Sequence, residues 1–390
     1  MNIFKRRKEK KEMKLDIKRT GDIEYDFIYA NDYINIVHDA CSICYGRNTE
    51  RTYDERRDYI RRRSNHESIM EHSNVIINYT IDESLLSEAL EVLEYAKYLT
   101  YRVKYIDKKV FILVAGSIRG YKEVIRNIKN TDNKFYRAFL NSMYYIDECF
   151  MKDFIEDGIM NFYDFKTVVE TENHFDKIKL KRSSIINIDD IKLVYSRIMS
   201  LALPFELEDL LNMCTTTIKF EEVSRVITQQ LTRHRAGITQ ASQRYINYSN
   251  AKFFSPDIFK PDKYEKDKKY EISFMDTKVE ATLQELGQAI ISIYPQLVEQ
   301  GLLKEDARAF LPNNIESSLY MTFTLWGLFK FLELRTDKHA QKEIQLIALE
   351  IEEVAKERWG DNIYDYLLPE YKRIPEQLEI TYDEIDEVIE

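Results

Sequence analysis

Two hydrophobic periods share this chain and divide it into segments. From Asn74 onward, Val75, Ile77, Tyr79 and Ile81 fall on every second residue, the spacing of a strand with a buried face. Val110 to Ala115 is a short unbroken apolar run, and Thr215 to Phe220 is rich in β-branched residues, so both are predicted strands. Helical spacing governs most of the rest. It predicts helices around Asp32–Cys44, over Leu85–Tyr105 and Ser117–Ile128, and from Phe220 to Leu231 through Val223, Val226, Ile227 and Leu231. A long helix is predicted from about Tyr270 to Gln300, a short one closing at Pro312, and an amphipathic one over Thr336–Arg358. Tyr320 to Leu334 is almost wholly apolar, and residues 133–213 read mainly as helices and charged linkers around a strand-like Thr167–Thr171. The basic, helix-compatible segment Arg51–Arg63 either faces an anionic ligand or forms a solvated face, the commoner case.

These elements predict an α/β (α+β) fold with long helices around a modest antiparallel sheet, in which the strands from Asn74 and Thr215 are central. The 10 glycines and 7 prolines in 390 residues fit long helices with few tight turns. Such a length suits two or three domains, or one domain with large insertions. A net charge of −10 argues against a general nucleic-acid binder. No apolar run reaches the roughly 18 residues that span a bilayer, and the basic start Met1–Lys14 lacks the apolar core of a secretory signal. A cytoplasmic protein with no membrane partner is expected. Cys41-Ser-Ile-Cys44 has the spacing of half a metal or redox site, but no second pair completes it, so no metal is expected. None of the four cysteines follows a proline.

The densest chemistry lies between Gln230 and Tyr245, which holds Arg233, Arg235, Arg244 and His234 among amides and hydroxyls. A helix entering a loop dense in guanidinium groups suits a phosphate, because arginine grips it with a planar fork and keeps its charge. The alternative is a solvated, salt-bridged helix end. A second cluster, His66, Glu67, Ser68, Glu71 and His72, crowds the turn before the strand from Asn74. His66 and His72 have a spacing that metal ligands use, although capping or satisfied histidines are commoner.

With these pieces in place the chain resembles the flavin-dependent thymidylate synthase family. Three blocks carry the likeness: His66-Glu-Ser-Ile-Met-Glu-His72 before a strand; Gln230 to Tyr245 with Arg-His-Arg followed by Ser242-Gln-Arg-Tyr245; and Ala307-Arg308, Leu311-Pro312, Leu334-Arg335 and His339-Ala-Gln-Lys-Glu-Ile344. Four of the six histidines fall inside these blocks. The chain departs from the family in three ways. Ala236 to Ala241 is one residue shorter than the family's spacing. The family's flavin-contact motif, Asn-x-Arg-x-x-x-Asn, stands here as Thr324-Leu-Trp326-Gly-Leu-Phe-Lys330. A large insertion separates the strand at Ile81 from the strand at Thr215. Within it, Gly116-Ser117-Ile118-Arg119-Gly-Tyr-Lys-Glu123 looks like the missing motif, also after an apolar strand. Either the insertion is a partial internal duplication, its first copy keeping Arg119 and the second Arg335, or it is a helical decoration.

The resemblance implies a charged tail at 1–19, an amino-terminal synthase part at 20–81, a mainly helical insertion at 82–213, a carboxy-terminal synthase part at 214–360 and an acidic tail at 361–390. It implies reductive methylation of dUMP to dTMP with methylene-tetrahydrofolate, FAD and NADPH and without a cysteine nucleophile. Arg335 would be catalytic, stabilising negative charge on the pyrimidine. Gln230, Arg233, Gln240, Ala241, Ser242, Arg244, Arg308 and Arg335 would hold dUMP. FAD would be held by His66, Ser68, Glu71, Arg233, His234, Arg235, Gln240 and His339, together with Ser117, Arg119, Glu123, Thr324 and Lys330. No Gly-x-Gly-x-x-Gly occurs, so a Rossmann pyrophosphate site is not expected. The family's sites lie between subunits, which implies a homotetramer, or fewer subunits if the insertion is a duplicated half. The alternatives are a nucleotide-binding homologue that has lost its flavin, and an enzyme transferring another one-carbon group to a pyrimidine nucleotide.

Overall fold

The computed structural model describes residues 18–46, 50–61, 67–128, 132–146, 177–189, 191–274 and 276–359. Instead of one sheet, the chain builds two five-stranded antiparallel sheets. The first contains β1 (Lys18–Thr20), β2 (Ile23–Ala30), β3 (Val75–Asp82), β4 (Leu99–Ile106) and β5 (Lys109–Gly116), in the order β1-β2-β3-β5-β4. The second contains β6 (Ile178–Lys179), β7 (Ser183–Ile188), β8 (Thr215–Ser224), β9 (Gly237–Gln240) and β12 (Glu316–Thr324), in the order β6-β7-β8-β12-β9. A separate hairpin pairs β10 (Tyr270–Phe274) with β11 (Thr277–Ala281). The strands from Asn74 and Thr215 are each third of five, hence central. Contacts divide the chain into two compact units, with the boundary at Lys330/Phe331.

One face of the first sheet buries Tyr25, Ile77 and Tyr79 against the helices Leu86–Leu93, Ile118–Asn127 and Lys134–Ile146. Tyr79 sits between Phe135 and Phe139 and donates to or accepts from Ser142 Oγ at 2.6 Å. The helix Tyr33–Tyr45 is apolar on two sides. Ile34, Val37 and Cys41 join the core of the first sheet, whereas Ile36, Ala40 and Ile43 pack with Tyr320 and Ile186 of the second. Only the narrow polar stripe Asn35, Asp39 and Ser42 is left part-exposed, and both apolar sides are buried between the layers.

Several predicted elements are corrected. Leu85–Tyr105 is not one helix: the helix ends at Leu93 and β4 begins at Leu99. Asp107 and Lys108 both have positive φ, the backbone of a two-residue hairpin turn, which folds β4 directly onto β5. The predicted helix Tyr270–Gln300 begins instead as the β10–β11 hairpin. It becomes helical only after Thr282, whose hydroxyl accepts from Glu285 N while the Glu285 carboxylate accepts from Thr282 N at 2.8 Å. β8 continues through Val223 to Ser224, which caps a shorter helix, Arg225–Leu231. Tyr320–Leu334 is split between β12 and the helix Leu325–Thr336, and the last helix is Lys342–Trp359. The described residues of 82–213 contribute four strands as well as helices, and Thr167–Thr171 lies outside the described residues. Among the described residues no helix is long and apolar enough to cross a membrane.

Candidate functional site

The arginine-rich segment is placed by a cap, a short helix and an edge strand. Ser224 Oγ accepts from Ile227 N at 3.3 Å and starts the helix Arg225–Leu231. Thr232–Ala236 then turns the chain into β9, which pairs with the middle of β12. Gln230 and His234 are half-buried, and Arg233 and Arg235 are exposed. A side chain at Gly237 would put its Cβ 2.9 Å from the Glu71 carbonyl oxygen, so the loop touches the backbone of the Glu67–His72 turn there. Gly327 brings the start of the Leu325–Thr336 helix to the same loop, its ideal Cβ position lying 3.6 Å from the Arg235 carbonyl.

His72 is wholly buried. Its Nε2 lies 2.9 Å from Thr239 Oγ1 and its Nδ1 lies 2.9 Å from Thr322 Oγ1, with Thr217 Oγ1 a further 2.8 Å from Thr322. Burial lowers its pKa to about 3, so the ring is neutral. A neutral imidazole has one N–H and one lone pair, and the two threonines use both ring nitrogens. Among the described residues no group of three or more His, Cys, Asp or Glu side chains converges as a metal site. Burial raises the pKa of the Cys44 thiol, which makes it a poorer nucleophile at neutral pH.

Glu71 also forms an ion pair with Arg119. Ser117 precedes it as the cap of the Ile118–Asn127 helix, its Oγ accepting from Gly120 N at 3.2 Å. The Arg119 guanidinium lies 5.7 Å from the Tyr98 ring centre, and its Nε is buried without a hydrogen-bond partner. Glu67 accepts from Arg126 and lies 3.6 Å from the buried Lys122 ammonium; Glu123 lies 4.0 Å from Arg126. Ser68 is exposed, and His66 lies outside the described residues. At the equivalent place in the second sheet, Thr324 caps its helix by accepting from Gly327 N at 3.0 Å, and the Lys330 ammonium lies 5.2 Å from the Trp326 ring.

Downstream of β9, Gln240 donates to Thr228 Oγ1 at 2.8 Å and the buried Ala241 donates its N–H to the Ser318 carbonyl at 2.9 Å. Ser242 N reaches the Cys44 carbonyl at 3.4 Å, and the Tyr45 and Tyr245 rings stand 5.2 Å apart. The end of the helix Tyr33–Tyr45 therefore lines the signature loop, a contact the sequence reading missed. Arg244 pairs with Glu305 at 2.6 Å, and exposed Arg308 follows at the end of that short helix. In the unit from Phe331, Arg335 is half-buried in the last turn of its helix. Asp337 accepts from His339 N at 2.8 Å and faces its Nδ1 at 3.0 Å. Thus Glu71, Arg119 and Gly237 come together in the larger unit, with Arg235 two residues before Gly237, while Arg335 and His339 belong to the other.

Two comparisons bear on this arrangement. A family profile described as thymidylate synthase complementing protein matches residues 167–359. A flavin-dependent thymidylate synthase of Pyrococcus abyssi is 35% identical over 192 residues, 47% of this chain and 70% of that protein. Proteins of the same description from Pyrococcus furiosus and Thermus thermophilus are 36% and 33% identical over 157 and 133 residues. Those alignments take in 38% and 34% of this chain, and 58% and 49% of the relatives.

Proposed function

The chain belongs to the flavin-dependent thymidylate synthase family of enzymes, and from that premise we propose that it methylates dUMP to dTMP with methylene-tetrahydrofolate, a flavin and NADPH. The observation that carries this reading is the convergence of segments far apart in sequence: the loop at Gly237 lies on Glu71, and Glu71 is paired with Arg119.

In this reading Arg233, Ser242, Arg244 and Arg308 hold the nucleotide phosphate, with Gln230, Gln240 and the Ala241 backbone as neutral partners. All three arginines are exposed, so a phosphate can be gripped by fixed positive charge. Arg119, Arg235, His234, Glu71, Ser68, Ser117 and Glu123 face the flavin, joined by Gln240, with Thr324 and Lys330 the degenerate counterpart. The donor set fits an anionic, ring-bearing cofactor. The buried Arg119 Nε has an N–H to give. Bound flavin supplies the hydride chemistry that no side chain can. Arg335 stabilises negative charge on the pyrimidine in place of attack by a cysteine.

The test is spectroscopic and then catalytic. Purified protein should carry a flavin absorption band and oxidise NADPH, and should form dTMP only when dUMP and the folate are present. Arg233→Ala should weaken dUMP binding, and unchanged dUMP affinity would count against its place at the phosphate. A colourless protein that cannot be reconstituted with FAD would overturn the reading.

A further inference from the structure

The two sheets are alike beyond their strand number. In each, a hairpin leads into a helix, the central strand, a helix, an edge strand and a last strand that feeds another helix. Details at single residues coincide. Asn31 N donates to the Asn74 carbonyl at 3.0 Å, and Asn74 N donates back to Asn31 Oδ1 at 2.9 Å. In the second sheet Asp189 N donates to the Thr215 carbonyl at 2.9 Å, and Thr215 N donates back to Asp189 Oδ2 at 2.6 Å. The two clasps meet where Asn74 Nδ2 donates to Asp189 Oδ2 at 2.7 Å. Ser117 and Gly120 make the helix cap that Thr324 and Gly327 make. Ile118 N donates to the side chain of Ser73 and Leu325 N to the carbonyl of Cys214, the residues just before Asn74 and Thr215.

The halves also reach across to each other in matching ways. The helix Tyr33–Tyr45 packs on β9 and β12, and the helix Ile191–Ser200 packs on β2. The turn before β3 holds the edge strand β9 through His72 and Glu71. The turn before β8 holds the edge strand β4 through Asp209, which lies 3.4 Å from Arg102 and 3.5 Å from Lys104. The chemistry is not shared equally. The loop Thr232-Arg-His-Arg-Ala236 corresponds to Glu94-Tyr-Ala-Lys-Tyr98, without arginine, and the excursion 241–315 corresponds to the turn Asp107–Lys108.

We infer that residues 18–123 and 178–330 are two copies of one unit, and that the first copy has given up its own nucleotide loop to serve as a built-in clamp on the nucleotide loop of the second, with His72 as its positioning residue. The nucleotide part rests on the function proposed above. The loop Thr232–Ala236 has no long element of its own to fix it. It ends in four-residue β9, and the His72 ring ties that strand to Thr322 of its neighbour. At the position of His72 the second copy has Met213, also buried, so methionine is a side chain this kind of turn accommodates.

The experiment uses the full chain, hydrogen exchange read by mass spectrometry, and equilibrium dialysis with dUMP. Variants are compared at a temperature where each is folded by circular dichroism. His72→Met, and Thr239→Val as its independent counterpart, should speed exchange over 237–240 at least tenfold and weaken dUMP at least tenfold. β4 should be unaffected in both, and Thr239→Ser should restore the affinity. Asp209→Asn should speed exchange over 99–106 only and leave dUMP affinity within twofold, with one dUMP bound per chain. A second dUMP site, an equal loss of affinity in Asp209→Asn, or unchanged exchange over 237–240 in both clamp variants would overturn the inference. If the wild type takes up no dUMP, the proposed function falls, and the exchange measurements alone decide the clamp.

Discussion

His72 Nε2 stands 2.9 Å from the Thr239 hydroxyl, 167 residues away in sequence, and the ring that joins them is neutral because it is buried. Its pKa, about 3, is below the 6.5 of a solvated histidine. As pH falls through about 6.5 the unfolded chain takes up a proton that the native ring refuses. This site therefore leaves stability untouched above that pH and costs up to ~1.4 kcal/mol per pH unit below it, until the native ring titrates. Urea unfolding at pH 7.5, 6 and 5 should show a steeper loss for wild type than for His72→Met. Parallel curves would mean that the ring is protonated in the native state.

Arg119→Ala should lower flavin absorbance per chain at least tenfold while barely moving the unfolding temperature. The Arg119 and Glu71 side chains are 28% and 29% exposed, and a pair so open to water contributes only ~0.2–1 kcal/mol. Folding can spare that, whereas a ligand that needs the buried Nε cannot. Retained flavin would reduce Arg119 to a partner for Glu71.

Gly237→Ala should damage ligand binding more than stability suggests. Its Cβ would sit 2.9 Å from the Glu71 carbonyl oxygen and 3.0 Å from Glu71 Cβ, atoms that cannot swing aside. Overpacking of this kind costs ~1–3 kcal/mol, and here the strain falls on the strand that carries the loop. A loss of dUMP affinity greater than tenfold is expected by calorimetric titration. Unchanged affinity would show that the loop tolerates displacement.

How much of this was legible in the sequence depends on the range of the cause. The alternation at Val75–Ile81 specifies a strand locally, and β3 is where it should be. Arg233 to Tyr245 was legible because its chemistry is dense within one segment. β4 was not, since Leu85–Tyr105 satisfies the helical period throughout, and the turn that ends the ambiguity is Asp107-Lys108, with no glycine to announce it. β7, Ser183–Ile188, is polar enough to pass for a linker until β8 covers it. The clasp of Asn74 on Asp189 and the grip of His72 on Thr239 join distant segments, and no local period records them. The likeness of Gly116–Glu123 to the motif standing at Thr324–Lys330 was legible, and its shared cap, Ser117-x-x-Gly120 and Thr324-x-x-Gly327, is the one short-range sign that the strand-to-helix units are alike.

Arg335→Ala should separate binding from chemistry. Arg335 is half-buried at the end of the Leu325–Thr336 helix, where a guanidinium supplies fixed charge without holding up the core. Asp337, two residues on, accepts from the backbone N–H of His339 and faces the ring of the same residue. Its pKa is lowered by those His339 contacts. Removing a preorganised group that stabilises developing charge costs ~10²–10³ in turnover. The alanine variant should therefore keep its unfolding temperature, its flavin band and its dUMP affinity within a few fold while dTMP formation falls by that factor. Arg335→Lys, with the charge but not the planar fork, should recover only part of the rate. Full turnover in the alanine variant would remove Arg335 from the chemistry, and a parallel loss of flavin would make its role structural.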